Sequence, residues 1–373
     1  MSAGGPQAPV HLPRFEAEGV AARIAPFIPA GLVPLVALVG WIGMALSELP
    51  AGPAAITDAN AATALWSAFG SVFPTWLTLS LAGLAMGMMF FIMASGLTLV
   101  FGLMDVINFG HGAFISLGAF VGVSVLAALP GWTRTPDLAL NLAAVGLAAL
   151  AATVAAGVLG WGFERVIVRP AYGAHLKQIL VTMGGLIVIE ELLRVLWGPS
   201  EIFLARPQML KGVLTWGGAA LEQYRLVAVG LGLVVFASMS LVLRRTRIGL
   251  IVRAGVENCE MVEALGYRLS RVFVAVFMAG SALAGLGGLM WALYQEHVTA
   301  QMGAELLVLV FIVVIIGGLG SVEGCFLAAL LVGLTQNYVA FLAPKLALIS
   351  TISLMVAVLM WRPSGMMPAS RLR

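Results

Sequence analysis

Charge is scarce in this chain. Asp, Glu, Lys and Arg make up 10% of its 373 residues, where an ordinary soluble domain carries about 25%. That scarcity, beside 61% hydrophobic residues, excludes a soluble enzyme. The net charge is only +3, and the basic residues are scattered among short loops, so nothing points to nucleic acid. There are two cysteines, Cys259 and Cys325, both expected on cytosolic loops, and no disulfide framework follows. The four histidines are dispersed at His11, His111, His175 and His297. No H-E-x-x-H and no G-x-S-x-G occurs, so neither a metal site nor a serine nucleophile is legible. There is also no G-x-x-x-x-G-K-[ST], and no Gly-Lys pair at all. ATP hydrolysis by a P-loop is therefore not available within this sequence.

What the chain does have is long apolar runs without alternation. A transmembrane barrel would show alternating strands of about 10 residues. These runs instead suit helices of about 20 residues, and the fold class is all-α: a polytopic helical membrane protein. About ten spans are expected, near 25–46, 76–102, 113–129, 138–163, 180–197, 224–243, 272–294, 305–318, 326–342 and 346–361. The first exceeds the 7–15 residues of a signal-peptide core and reads as an uncleaved span, with cleavage near Ser47 as the alternative. Alternating from a cytosolic N-terminus puts fourteen of the 20 Lys and Arg inside and five outside, with Arg194 near the outer end of a span. That asymmetry predicts both termini in the cytosol. Trp41, Trp76, Trp132, Trp197, Trp291 and Trp361 fall near span ends, as interfacial aromatic belts do. Outer loops are expected over 47–75 and 198–223.

One inner loop, 244–271, carries a pattern of its own. After Arg244, Arg245 and Arg247 comes RAGVENCEMVEALGYRLSR, with Val256, Cys259, Val262 and Leu265 at three-residue spacing. Glu257, Glu260 and Glu263 form a second row, and Gly266 is placed to end the helix. The spacing predicts a short amphipathic helix over 256–266. Surface-lying membrane helices usually carry a basic polar face. This one is acidic after Arg253, which favours a helix that docks a soluble partner.

Polar residues inside the spans are few. The stretch DVINFGHGAF, 105–114, sets Asp105, Asn108 and His111 between apolar runs, with Gly110 and Gly112 breaking the helical pattern. In lipid a broken helix is tolerated only within protein or beside a water-filled cavity. One reading has Asn108 capping a helix that starts near Gly112 and His111 bonding a neighbouring span. The other has a discontinuous helix lining a solute path. The span boundaries put the motif at an inner junction, or deeper if the spans begin later, with Asp105 at the inner surface. A second break, IGGLGSVEG at 316–324, suits a tight turn with close helix packing, or a path wall. Glu190 and Arg194, four residues apart, can pair. Gln295, Glu296 and His297 read as an outer interface, and Gln336 and Asn337 as bonds to another helix.

Four blocks together resemble one family. GLTLVFGLMDVINFGHGAFISLGAF (96–120), RAGVENCEMVEALGYRLSRV (253–272), IIGGLGSVEGCFLAALLVG (315–333) and WRPSGMMP (361–368) resemble, in order, segments of LivH-type permeases. These are membrane subunits of branched-chain amino acid ABC importers. The resemblance covers about residues 75–368; residues 1–70 lie outside it, and Glu323-Gly324 stands where many relatives have Pro-Gly. It implies a related second permease subunit, two cytosolic ABC ATPases and a periplasmic solute-binding protein as partners, within membrane lipid. No cofactor is expected in this chain; ATP and Mg would sit on the ATPases, so the chain itself is not expected to be an enzyme. Arg253, Glu257, Glu260, Met261, Ala264, Leu265 and Gly266 would then form the ATPase-coupling helix. Asn108, Gly110, His111, Gly112, Gly317, Gly318 and Gly320 would flank the substrate path. Related permeases carry urea, short amides or aromatic acids, which stay open as substrates. A self-sufficient channel or secondary transporter would need more embedded carboxylates than Glu190 and Glu191. An intramembrane enzyme would need paired groups, and only His111 with Asp105 comes close. The expected layout is a cytosolic tail at 1–24, an extra helix and outer loop at 25–70, a permease domain at 71–363 and a cytosolic tail at 364–373.

Overall fold

In the computed structural model, residues 28–47, 61–257 and 259–367 are described, and the expected tail 1–24 lies outside them. Among the described residues, ten helices of 15 residues or more fall where the ten apolar runs lie. They are α1 (Ile28–Ser47), α2 (Ala61–Met104), α3 (His111–Ala128), α4 (Leu138–Phe163), α5 (His175–Trp197) and α6 (Gln223–Arg245). Two short helices follow, α7 (Arg247–Glu257) and α8 (Cys259–Ala264). The bundle closes with α9 (Leu269–Gln295), α10 (Met302–Gly317), α11 (Val322–Leu342) and α12 (Ala347–Trp361).

The centre is α2. It is apolar all round, and Ala85–Ala94 are all buried, as a helix surrounded by others must be. It runs antiparallel to α9, with Gly96 against Gly280 and Phe90 stacked on Trp291, and antiparallel to α11, with Gly87 against Leu330 and Gly83 against Leu334. Helix α4 also runs against α9, pairing Phe163 with Phe277 and Gly160 with Ser281. Lipid tails offer no hydrophobic drive between helices, so close backbone contact at small residues does that work. The glycines at these crossings supply it.

The outer faces of α4, α5, α6 and α12 keep their leucines, isoleucines and valines exposed, including Leu150, Val195, Leu241 and Ile349. In water such a surface would aggregate; here it suits lipid or another subunit. One end of the bundle, called here the basic end, carries Arg165, Arg169, Lys177, Arg244, Arg245, Arg247, Arg253, Arg268 and Arg271.

Several elements differ from the sequence expectation. The outer loop expected over 47–75 is helical from Ala61, and Pro74 sits inside α2. Tertiary packing holds that extension: Trp41 stacks on Trp76 at 5.2 Å, and Trp76 Nε1 donates to Ala37 O at 2.8 Å. Trp291 is buried against Phe90 rather than lying in an interfacial belt. Cys325, expected on a loop, is buried and unpaired within α11. Arg194 pairs with Glu191, not Glu190, whose Oε1 is buried with no partner. Asn337 does bond another helix, donating to Leu79 O at 2.7 Å.

The segment between α5 and α6 holds β1 (Ile202–Phe203), β2 (Val213–Trp216) and β3 (Ala219–Glu222). Strands β2 and β3 form a hairpin; β1 pairs antiparallel with β4 (His297–Val298) after α9. Arg206 locks this cap. It donates to Leu293 O and Tyr294 O, both at 2.7 Å, and pairs with Glu222 at 2.9 Å and Glu296 at 3.0 Å. Replacing Arg206 by leucine is expected to cost about 2–3 kcal/mol, since charge-assisted bonds to partly buried partners are lost. Faster limited proteolysis within 198–222 would register it.

Candidate functional site

The break at 105–114 is not a surface loop. Helix α2 ends at Met104, and Asp105 is exposed with φ 49°, as expected of the end of a span. The chain then turns back into the bundle. His111 Nε2 lies 2.9 Å from Met93 O. Met93 stands eleven residues before the end of α2, about 16 Å along the helix. Helix α3 therefore begins deep in the protein, and residues 105–110 form a re-entrant stretch. That depth is not legible in the sequence, because hydropathy does not separate a buried turn from a surface turn of the same composition.

The start of α3 is held from four sides. Phe109 N donates to Thr182 Oγ1 of α5 at 3.2 Å. Gly110 lies against the Phe163 ring of α4. Gly112 packs on Gly303 of α10, where a Cβ would lie 2.8 Å from the Gly303 carbonyl oxygen. Ser116 Oγ donates to Ala300 O at 2.9 Å and accepts from Gly303 N at 2.9 Å, which fixes the start of α10. Phe114 meets Phe163 and Phe277 edge-on. His111 therefore bonds a neighbouring span. Asn108 does not cap α3: Gly110 holds the cap position without a side-chain bond, and His111 N reaches Asn108 O at 3.3 Å.

Asn108 is the anomaly. Its side chain is fully buried, and neither amide atom has a partner. Two more unpartnered atoms lie on the elements that hold this stretch. Gln178 Oε1 is one turn before Thr182, and Glu164 Oε2 follows Phe163. The other Glu164 oxygen accepts from Tyr172 OH at 2.6 Å, and burial together with that carboxylate pushes the phenol well above its usual range. A buried amide without partners costs about 1–3 kcal/mol. Asn108→Leu is therefore expected to hold or raise stability while lowering any solute movement that uses the amide. Ser116→Ala, which breaks two satisfied bonds, is expected to lower stability by about 1–3 kcal/mol. Thermal unfolding of the purified chain beside uptake assays separates the two.

The second Gly-rich break lies elsewhere. Gly317 packs on Gly324 and Cys325, Gly318 on Gly365, and Gly320 on Gly102 near the end of α2. The chain after α12 folds onto this turn: Met366 N donates to Ile316 O at 2.8 Å and Met367 N to Gly317 O at 3.0 Å. The length of α10 separates Gly317 from the Gly112–Gly303 contact, so the structure does not join the two breaks.

At the basic end helix is described over Arg247–Glu257 and Cys259–Ala264, so it starts earlier than the expected 256. Thr246 makes the start: its Oγ1 accepts from Gly249 N at 3.1 Å, the work of an N-cap. Helix α8 ends as expected, with Gly266 at φ 87°. Val262 is buried, while Met261 is 62% and Leu265 71% exposed, and Ala264, Gly266 and Tyr267 are exposed too. Of the expected apolar row, Val262 and Leu265 thus face opposite ways. The side chains of Val256, Glu257, Cys259 and Glu260 lie outside the described residues. Val252 of α7 packs with Leu103 of α2 and Val276 of α9. Arg253 lines a cavity beside Arg244, which pairs with Glu323 of α11. Neither Arg206 nor Ser116 stood out in the sequence, because an outer arginine and a serine in an apolar run carry no spacing signal.

Among the described residues, eight helices long and apolar enough to cross a membrane, packed with the others around a buried core, define a multi-pass membrane protein. Residues 79–360 match the family model described as branched-chain amino acid transport system / permease component, and the chain belongs to that family. It is 25% identical over 292 residues to the high-affinity branched-chain amino acid permease LivH of Escherichia coli K12, covering 76% of this chain and 93% of that one. BraD of Pseudomonas aeruginosa, of the same description, is 26% identical over 296 residues with the same coverage. The E. coli K12 permease LivM is 26% identical over 312 residues, covering 76% of this chain and 69% of its own.

Proposed function

We propose that this chain is one of two related permease subunits in a heteromeric ABC importer of the bacterial inner membrane. Two cytosolic ATPases holding ATP and Mg would drive it, and a periplasmic solute-binding protein would feed it. The solute is a branched-chain or similar small amino acid. Both termini, and the basic end, face the cytosol. The observation that carries this reading is the exposed apolar tip of Met261, Leu265 and Tyr267 at the basic end of a family permease. An importer whose ATPases are separate chains needs such a tip.

The route from that tip to the re-entrant stretch is physical. The α7–α8 segment is keyed by Val252 into Leu103 and Val276. Movement of the segment would therefore pull on α2 and α9. Helix α2 holds His111 through Met93 O, and α9 holds the flank of α3 through Gly118–Gly285. Rocking of α2 would open or close the space around Asn108 in an alternating-access cycle. The Asn108 amide and the unsatisfied oxygens of Gln178 and Glu164 are the groups that could meet a polar solute there.

The test is affinity purification from native membranes in mild detergent, followed by mass spectrometry. Two P-loop ATPases and a second permease should co-purify, and proteoliposomes of the complex should take up leucine, isoleucine or valine only with ATP. Uptake by the chain alone, abolished by substituting Glu190, would favour a secondary transporter. Uptake of urea, short amides or aromatic acids in place of the aliphatic amino acids would move the substrate within the same family.

A further inference from the structure

The cavity at the basic end measures about 290 Å³, close to the lower bound of about 300 Å³ for small-molecule pockets. It lies between the ends of α2 and α6, the α7 helix and the α10–α11 turn. Its inner wall is apolar, with Leu99, Leu103 and Val252. Its polar groups include two guanidinium-bearing side chains, Arg244 and Arg253, and the hydroxyls of Ser240 and Ser321. Among the described residues Glu323 is the only carboxylate lining it, and Arg244 holds it. Arg253 forms no ion pair among the described residues, and its Nε lies 3.4 Å from Gly249 O. The described side chains that line it, two arginines against one carboxylate, therefore carry a net positive charge, and Arg245 and Arg247 add to the field from nearby.

Two further features restrict what can enter. Phe236 stacks on Phe326 at 4.1 Å, with Phe91 edge-on to Phe326 at 5.3 Å. Ser240 and Glu323 of the cavity lining each lie about one turn from that stack, which stands on the side of the bundle centre. Entry is left to the end or the side of the bundle. On that side α6 exposes Leu241 and Val242, an apolar flank next to the polar mouth. The cavity sits at the end of membrane-spanning helices, where basic pockets meet lipid headgroups.

We propose that this cavity binds the phosphate group of an anionic phospholipid, with acyl chains along α6 and the phosphate between Arg253 and Arg244. Guanidinium forks match phosphate oxygens bidentately. The incoming phosphate competes with Glu323 for Arg244. Once bound, it ties α7 to α6 and α11, and so restrains the segment that carries Met261 and Leu265. Membrane composition would in this way set how freely that segment moves. A soluble phosphate ester carries the same chemistry, and the test separates the two sources.

The experiment is native mass spectrometry of the delipidated full chain, titrated with phosphatidylglycerol, with phosphatidylcholine of the same acyl chains, and with inorganic phosphate. One phosphatidylglycerol should bind at least about tenfold more tightly than phosphatidylcholine, the size expected of a charge-assisted bond. Arg253→Gln should weaken it about tenfold, while Arg245→Gln, the same charge change off the cavity, should change it far less. Glu323→Gln should tighten it, a gain that misfolding cannot produce. Inorganic phosphate that protects the chain from thermal unfolding as well as the lipid does would assign the site to a soluble phosphate ester. Phosphate that does not would assign it to the headgroup. Equal binding of both lipids with no phosphate effect, or equal losses in Arg245→Gln and Arg253→Gln, would overturn the proposal.

Discussion

Replacing Gly303 by valine is expected to remove most folded protein from the membrane and, with it, transport. A Cβ at 303 would fall on the carbonyl oxygen of Gly112 and lie 2.6 Å from Ser116 Oγ. The first obstacle is backbone, so no side chain can rotate away. Over-packing of this kind costs about 1–3 kcal/mol. Separating the helices would also break the Ser116 bonds to Ala300 and Gly303, each worth about 1 kcal/mol. The sum, about 3–5 kcal/mol, is a large share of the total stability of about 5–15 kcal/mol for a folded protein. Gly146 and Gly184 are the controls: both are helical and have nothing within 4 Å of an added Cβ. Alanine there should be neutral or stabilise by up to about 1 kcal/mol. Detergent-solubilised yield by size-exclusion chromatography, with thermal unfolding, measures all three. If Gly303→Val matches Gly146→Ala, α3 and α10 are not in contact as described.

The second large effect should leave the fold intact. On the importer reading proposed above, Leu265→Asp is expected to release the ATPases and cut ATP-driven uptake by at least tenfold, with unfolding changed by no more than about 0.5 kcal/mol. Leu265 is mostly exposed and touches little of its own chain. Met261, 62% exposed on the same segment, should behave alike. A central apolar anchor at an interface is worth about 2 kcal/mol or more, a factor near 30 in affinity. Val262, one residue from Met261, provides the contrast. It is buried, so Val262→Asp should unfold the α7–α8 segment itself and lower stability. Uptake, co-purification and melting temperature, read together on the three variants, distinguish a docking face from a structural one. Normal uptake in Leu265→Asp would end the docking role of this tip.

Much of the architecture could be read from composition and periodicity. Each of the ten apolar runs became a helix, because a segment long enough to cross a bilayer must satisfy its own backbone. Gly266 ended α8 because its left-handed φ is cheap only for glycine. His111 found a partner on a neighbouring span because a buried ring nitrogen needs one. Other features depended on distant residues. The helical start at Ala61 rests on Trp41 and Trp76, the choice of Glu191 over Glu190 on local geometry, and the locked outer cap on Arg206 reaching Leu293 and Tyr294.

From the sequence alone come the membrane class, the places of about ten apolar helices, the bias of positive charge to one end and the two glycine-rich breaks. All of these follow from local chain physics: transfer of apolar side chains into lipid, and backbone freedom at glycine. Tertiary structure decided the depth of residues 105–110, the exposure of Leu265 against the burial of Val262, and the cavity between Arg244 and Arg253. These depend on which helices touch, and contact in lipid is set by shape at small residues, a property that hydropathy does not encode.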